Sequence, residues 1–132
     1  MIDVKFLNLN PHPLRLRMNA ANTAPKPDET DIVVLPRLGA DGRPAPARVS
    51  TTPGGRLPDL GGVPTFDRTA YGAVEGLPEP EEGTVYLVSA LVGGRPEVAA
   101  REDVFIPGTG PRDGVVRTAD GQVYAVTRLV RA

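Results

Sequence analysis

TVYLVS, residues 84–89, is the most apolar run of the chain, and the predicted fold is built around it. Its β-branched and aromatic residues follow one another without a polar interruption, and Gly83 precedes them. A short continuous run of this composition is typical of a strand that is buried on both faces. We therefore predict that this segment is the central strand of a sheet.

The flanks of this strand predict its neighbours. Upstream, residues 76–83 (GLPEPEEG) form a rigid acidic connection, because prolines restrict the chain. Downstream, residues 90–101 are the best helix candidate, although Gly93-Gly94 interrupts them and Pro96 suits the first turn of a new helix. A strand at 103–106 and a closing hairpin over 115–131 follow.

The first half of the chain predicts more strands and two loops. Alternating residues from Val4 to Leu9 and from Leu14 to Met18 predict two strands, joined as a hairpin by the Asn10-Pro11-His12 turn. Shorter strands are expected at 32–35, 48–51 and 64–71. Polar, Gly-rich and Pro-rich residues predict flexible loops at 19–31 and 53–62.

The composition favours a mainly β or α+β fold. The 132 residues suit a single domain, 1–132, and contain 16 valines, 15 glycines and 15 prolines. Valine favours strands, while frequent glycine and proline exclude long helices. We predict a compact small barrel or sandwich of six to eight short strands with one short helix near 90–101. Small chains of this kind often complete a core by self-association, so we also predict a homo-oligomer.

The charge and cysteine content exclude several classes of function. A net charge of −1 gives no basic field for nucleic acid, so a nucleic-acid partner is not expected. The absence of cysteine excludes disulfides, thiolate zinc sites and thiol catalysis. No signal segment or membrane-length apolar run is present, so we expect a cytoplasmic protein without a membrane partner. No cofactor and no metal site are predicted.

Four segments together resemble one family. They are FLNLNPHPLRL (6–16), YGAVEGLPEPEEGTVYLVSALV (71–92), REDVFIPG (101–108) and DGQVYAVTRLV (120–130). They resemble a family of small uncharacterised bacterial and phage proteins that opens with I-N-L-T-P-H. That family then carries L-P-x-P-x-x-G-x-x-Y-I-V-S-x-L-V and R-x-D-V-x-x-P-G. Asn10 replaces the usual Thr, and Gly-Gly-Arg-Pro replaces a helix-forming Ala-rich stretch. The resemblance implies a fold-level relation and a bacterial or phage setting, and no activity.

Asn8, Asn10 and His12 form the first candidate site. His12 is the only histidine, and an imidazole titrates near neutral pH, so it suits a general base or a ligand contact. The structural alternative, which we favour, is that Asn10 and His12 stabilise the turn through hydrogen bonds from their side chains to the backbone.

Four further residues are ligand-binding candidates. Ser89 follows the central strand, where it suits an anion contact, a nucleophile or simply a helix N-cap. Arg101 and Asp103 lie two apart and suit either an oriented anion contact or a structural ion pair. Arg112 belongs to Gly108–Arg112, which superficially resembles a phosphate cradle but leads into a strand rather than a helix.

Three functions follow as hypotheses. The first is a non-catalytic protein that sequesters a small anionic metabolite or nucleotide signal in a phage–host setting. The second is a small hydrolase or nucleotide-processing enzyme that uses His12 with Asp103 or Ser89. The third is a structural, assembly or protein-interaction component. No catalytic motif is present, so the non-catalytic hypothesis is preferred. Convergence of the candidates on one pocket would favour the first two hypotheses, and dispersal would favour the third.

Overall fold

A computed structural model describes residues 4–132. Its strands, in chain order, are β1 Lys5–Asn8, β2 Leu14–Arg17, β3 Asp31–Val34, β4 Arg48–Thr52, β5 Arg56–Leu60, β6 Val63–Phe66, β7 Ala70–Glu75, β8 Thr84–Leu87, β9 Val104–Pro107, β10 Val116–Arg117, β11 Val123–Ala125 and β12 Leu129–Arg131. Two four-residue helices, α1 Ala90–Gly93 and α2 Pro96–Ala99, lie between β8 and β9. The predicted mainly β class is confirmed.

A four-stranded sheet in the order β1-β8-β9-β12 forms the centre of the molecule. β8 pairs in parallel with β1 on one side and with β9 on the other, while β12 runs antiparallel to β9. Tyr86 and Leu87 of β8 are almost fully buried, because neighbours cover both faces of the strand. The prediction of a central strand at 84–89 is therefore confirmed for residues 84–87.

The β8–β9 connection contains two helices where one was predicted. Parallel strands need a crossover connection, and α1 and α2 supply it. Ser89 caps α1, and Arg95 and Pro96 begin α2. The break falls at Gly93-Gly94 because a proline follows two residues later and its ring restarts the helix as a first-turn residue.

An aliphatic core joins the sheet to the crossover. It consists of buried Leu9, Ala47, Tyr86, Val88, Val92, Val98 and Val104. Val49 and Val74 of the β4–β7 pair pack against it from the side. The high valine content thus reflects a core that is rich in buried β-branched residues.

The remaining strands pair in twos, as β2–β3, β4–β7, β5–β6 and β10–β11. In residues 4–132 these sheets do not close into a barrel, and the strands number twelve rather than six to eight. The predicted count is too low because β5 lies in a segment predicted as loop, and because the single strand predicted at 64–71 covers parts of two strands, β6 and β7.

The N-terminal hairpin prediction was wrong. β1 pairs with β8 and β2 pairs antiparallel with β3, so the two adjacent strands belong to different sheets. The Asn8 amide donates to the carbonyls of His12 and Val34, which turns the chain out of the first sheet toward β3.

The two segments that are predicted as flexible loops make more hydrogen bonds within the protein than their composition indicates. Residues 19–31 are bound to the buried side chain of Arg17 and end in β3. Residues 56–60 form β5, which turns at Gly61-Gly62 into β6. Both glycines have positive φ, at 58° and 84°, as the tight turn of a hairpin requires.

The closing hairpin is confirmed in part. β10 and β11 pair antiparallel across the predicted turn, but β12 leaves them to pair with β9. Neither helix of the described residues has the length or apolarity that crossing a membrane requires.

Candidate functional site

The carboxyl ends of the three parallel strands meet at one edge of the sheet. Asn10 and His12 follow β1, Ser89 follows β8, and Thr109 follows β9. In open sheets with parallel strands, ligands bind outside this edge, because the chain diverges there and leaves a crevice. Three of the sequence-predicted candidates therefore lie where such a crevice is expected.

Asn8 and Asn10 build the turn that leads into this edge, and both are buried. The Asn8 side-chain oxygen accepts from the Asn10 amide nitrogen at 2.9 Å, and the Asn10 side chain donates to the Leu87 carbonyl at 3.3 Å. Both side chains bond to the backbone, as the structural interpretation predicted for Asn10. That interpretation also included His12, of which the main-chain carbonyl, and not the side chain, is bonded within the described residues. The two asparagines position His12 instead of presenting an open contact themselves.

His12 is exposed and lines two clefts, each of which also includes Asn10 and Ser89 in its lining. The main-chain carbonyl of His12 is held at 2.9 Å by the Asn8 amide, which anchors the residue at the rim. An exposed imidazole on an anchored backbone is available to a ligand that enters from solvent.

Ser89 is the N-cap of α1. Its Oγ accepts a hydrogen bond from the Val92 amide nitrogen at 3.3 Å, as the cap prediction stated. A serine hydroxyl that accepts one bond still carries its own proton for donation. Ser89 is partly buried and lines the same clefts as His12, so it can cap the helix and donate to a ligand at once.

The larger cleft, which we call the carboxyl-edge cleft, has a volume of about 510 Å³. Its apolar wall includes Val49, Leu91 and Val92, and its polar rim includes His12, Ser89 and Arg48. An adjoining cleft of about 260 Å³ shares Asn10, His12 and Ser89 and extends to Thr109. An apolar wall with a few convergent polar groups is the usual composition of a small-molecule site.

Arg48 was missed by the sequence analysis. It is the first residue of β4 and is exposed, with Glu75 of β7 opposite it in the ladder. Nothing in the sequence distinguishes it from the twelve other arginines, because its approach to His12 depends on the packing of β4 beside α1. Only the tertiary structure reveals it as part of the rim.

Arg101 and Asp103 lie elsewhere. Asp103 immediately precedes β9, at the amino end of the sheet, whereas Ser89 extends beyond the carboxyl end of β8. The register of β8 and β9 separates the two by about four residues along the strands, or roughly 13 Å. The Arg101–Asp103 pair therefore lies outside the carboxyl-edge cleft.

The contacts of Arg101 match the structural interpretation. Its guanidinium donates to both Asp103 carboxylate oxygens, at 2.9 and 2.7 Å, and to the Pro78 carbonyl at 2.8 Å. It also lies 5.3 Å from the centroid of the Tyr86 ring. The hydrogen bonds from Arg101 lower the pKa of the Asp103 carboxyl. The pair ties the 76–83 connection to the start of β9.

Arg112 is exposed on the loop after β9 and does not line either cleft. The loop is closed by Asp113, whose carboxylate accepts from the Gly110 amide nitrogen at 2.8 Å. The Gly110 amide, which a phosphate cradle would offer to its ligand, is thus bonded within the loop. The weak resemblance of residues 108–112 to a phosphate loop is thus explained by an internal turn.

A separate groove of about 210 Å³ lies between the main sheet and β2–β3, lined by Phe6, Leu16, Met18 and Ile32 among others. Its deepest polar group is Arg17, whose donors are all used within the protein. The groove therefore offers apolar contact without a free buried polar group. It is a weaker candidate than the carboxyl-edge cleft.

Over residues 4–132, no three His, Asp or Glu side chains are grouped closely enough to hold a metal ion.

The comparisons with known proteins give no match: no family model, no curated protein and no solved structure matches the chain. The site therefore rests on geometry alone.

Proposed function

We propose that this protein binds a small anionic ligand in the carboxyl-edge cleft without transforming it. The observation that supports the proposal is that His12 and Ser89, which follow two different parallel strands, line one cleft together with Arg48. These three side chains supply an imidazole, a hydroxyl and a guanidinium, all of which can donate hydrogen bonds to an anion.

The charge of the lining favours an anion over a cation. Neither cleft has an Asp or Glu among its lining residues, whereas Arg48 lies at the rim of the larger one. The volume of about 510 Å³ falls in the range of small-molecule sites and suits a metabolite of nucleotide size. The apolar wall of Val49 and Leu91 would contact the uncharged part of such a ligand.

The placement of Asp103 favours binding over catalysis. A histidine base is usually oriented by a carboxylate, and the one proposed from sequence is bonded to Arg101 at the other end of the sheet. The enzyme alternative, a small hydrolase or nucleotide-processing activity, keeps one supporting observation, since His12 and Ser89 share a cleft. An enzymatic activity that is detected in the unsubstituted protein and lost in His12→Ala would favour this alternative.

The resemblance to bacterial and phage proteins supplies a biological setting for the proposal. A protein without turnover can still act on a signalling pathway if it sequesters the signal. Sequestration of an anionic metabolite or nucleotide signal during phage infection is the form of the proposal that suits this setting, in the cytoplasm of the host.

The test is a titration of isotope-labelled protein with inorganic phosphate and with adenosine monophosphate, followed by amide NMR shifts. We expect shifts at His12, Ser89 and Arg48, and at least a tenfold weaker affinity in Arg48→Ala. Arg43→Ala is the matched control, because Arg43 is exposed on a turn outside the cleft and should bind as the unsubstituted protein does.

Native mass spectrometry of protein purified from its natural host complements this titration. A co-purified anion that is absent from Arg48→Ala would identify the ligand. Unperturbed cleft amides with both probes, together with a chain mass free of any adduct, would contradict the proposal.

A further inference from the structure

A second cleft, which we call the arginine cleft, adjoins the carboxyl-edge cleft. It has a volume of about 300 Å³ and is lined by Arg37, Ala45, Pro46, Arg48, Glu75 and Gly76. Pro46 and Arg48 also line the carboxyl-edge cleft, so the two clefts share a wall. A ligand that contacts Arg48 from the carboxyl-edge cleft therefore lies next to a second guanidinium, that of Arg37.

Main-chain hydrogen bonds hold this wall against the end of β1. The Arg37 amide nitrogen donates to the Asn8 carbonyl at 2.9 Å, and the Arg37 carbonyl accepts from the Ala45 amide nitrogen at 2.8 Å. The Ala47 amide nitrogen donates to the Leu9 carbonyl at 3.0 Å. Because the segment between the two clefts is bonded to the strand end from which the carboxyl-edge cleft opens, the fold fixes the position of one cleft relative to the other.

The Arg37 side chain is anchored through one of its three nitrogens. Nη2 donates to the carbonyls of Ala45 and Gly76, at 2.9 and 3.0 Å. Gly76 has a φ of 80°, and a Cβ at this position would lie 3.1 Å from the Pro46 carbonyl oxygen, so a glycine suits the close approach. Nε and Nη1 of Arg37 donate to no acceptor within residues 4–132. The anchored guanidinium thus keeps N–H groups for a ligand, in an orientation that the main chain sets.

The charges of the arginine cleft favour an anion. Glu75 is the cross-strand partner of Arg48, yet the described part of the chain contains no ion pair of either residue, nor one of Arg37. Two guanidinium groups therefore face a single carboxylate, and positive charge is in excess. Guanidinium groups that are not neutralised by an internal partner offer charge-assisted hydrogen bonds to phosphate or carboxylate groups.

We propose that the arginine cleft binds a second anionic group of the same ligand that occupies the carboxyl-edge cleft. This inference rests on the proposed function, and it narrows the ligand to compounds with two separated anionic groups, such as a nucleoside bisphosphate. One group contacts His12 and Ser89, the other contacts Arg37, and Arg48 lies between them at the shared wall. The second contact is intramolecular once the first has formed, so it adds affinity without a second loss of translational freedom.

Calorimetric titration with adenosine 5′-monophosphate and adenosine 3′,5′-bisphosphate tests the inference, because the second probe adds one phosphate to the first. We expect the bisphosphate to bind at least about tenfold tighter. In Arg37→Ala the two probes should bind with similar affinity. Arg37→Gln, which keeps amide donors for the two carbonyls but removes the charge, should show the same loss if Arg37→Ala is unstable. Arg131→Ala is the matched control, because it removes the same charge from an exposed position of β12 outside both clefts.

Glu75→Gln tests the sign of the ligand charge. Removal of the carboxylate should tighten the binding of the bisphosphate, because a neighbouring negative charge repels an anion. Equal affinities of the unsubstituted protein for the two probes, a gain that survives in both Arg37 variants, the same loss in Arg131→Ala, or weaker binding of the bisphosphate by Glu75→Gln would overturn the inference.

The two proposals can fail separately. Amide NMR shifts at His12 and Ser89 with the monophosphate, without any gain from the second phosphate, would overturn this inference and leave the proposed function supported. Titrations in which neither probe binds would overturn both.

Discussion

The guanidinium of Arg17 binds the Asp31 carboxylate through two hydrogen bonds, of 2.9 and 3.2 Å. Its other three N–H groups donate to the carbonyls of Asn22, Ala24 and Lys26, so all five donors are used. The Arg17 side chain has no exposed surface, and that of Asp31 has 3%. One buried side chain thus organises the whole of the segment that joins β2 to β3.

Arg17→Ala should strongly destabilise the protein. The substitution leaves the buried Asp31 carboxylate with only the bonds from Arg15 and the Asp28 amide, and it leaves three carbonyls without their donor. We expect the melting temperature to fall by roughly 10 °C or more. Arg15→Ala is the control, because Arg15 is 28% exposed and makes one bond to Asp31, at 3.1 Å. Thermal unfolding followed by circular dichroism measures both. Equal shifts in the two variants would contradict the role of Arg17.

The stability should fall at acidic pH because of the same segment. The hydrogen bonds from Arg17 hold the pKa of Asp31 well below its usual range. Bonds from Asn22 and Thr30 lower the pKa of Asp28 to about 2. Unfolded aspartate has a pKa near 3.9, so between the two values the unfolded chain binds more protons and stability rises with pH.

The contribution of these carboxylates to the free energy of unfolding is therefore complete above about pH 5, and it is lost as the pH falls through about 4 toward about 2. Urea unfolding at intervals between pH 7 and 2.5 measures the slope. Asp28→Asn should flatten the slope below pH 4 and leave it unchanged near neutrality. A variant whose acid profile matches that of the unsubstituted protein would refute the assignment.

Substitutions of Ser89 should separate its two roles. Ser89→Ala removes the cap of α1 and should cost about 1 kcal/mol of the free energy of unfolding. Ser89→Asn and Ser89→Asp both keep a capping oxygen and should retain stability. Only Ser89→Asp places a negative charge in the cleft, so it should weaken anion binding while Ser89→Asn largely retains it. Denaturant unfolding and the NMR titration measure the two effects, and equal binding by the Asn and Asp variants would argue against an anion site.

Gly93 should tolerate no larger residue. A Cβ at this position would lie 2.6 Å from Cγ2 of Ile106 and 3.4 Å from Cβ of Ala132, so Gly93→Ala overpacks the contact between α1 and β9. We expect a loss of roughly 1–3 kcal/mol in denaturant unfolding. Gly55→Ala, where the added Cβ meets nothing within 4 Å, should change stability by less than about 0.5 kcal/mol.

Ile106→Ala should relieve the Gly93→Ala defect, because it removes the methyl group in the overlap. The double variant should therefore lose less stability than the sum of the two single variants. Additive losses of stability would show that the Cβ added at position 93 is crowded by a group other than Ile106.

Several features were predictable because they depend on local physics. The apolar run at 84–87 had to be buried, the Ser89 hydroxyl had to satisfy a helix amide, and the Asn10 side chain beside Pro11 had to bond to the backbone. The Leu60-Gly61-Gly62-Val63 sequence was an available hairpin signal as well. Two glycines between apolar residues predict the tight turn that the structure contains, and the interpretation of 53–62 as loop overlooked it.

Strand pairing could not be predicted from the same patterns. β1 pairs with β8, and their sequences lie about eighty residues apart. Alternation and turn residues report which segments are strands, but a partner is chosen by the packing of side chains from the whole chain. Adjacency in the sequence therefore predicts a hairpin of β1 and β2 that the structure does not contain.

Composition and local hydrophobic order act over a few residues, and they are sufficient to predict the strand-rich class, the aliphatic core and the central strand. Long-range packing places His12 and Ser89 in one cleft with Arg48, and it places Arg101 and Asp103 at the other end of the sheet. It also buries Arg17. The reason is that parallel pairing brings the ends of distant strands to one edge. Neither the spacing of residues nor their type encodes which distant ends will meet.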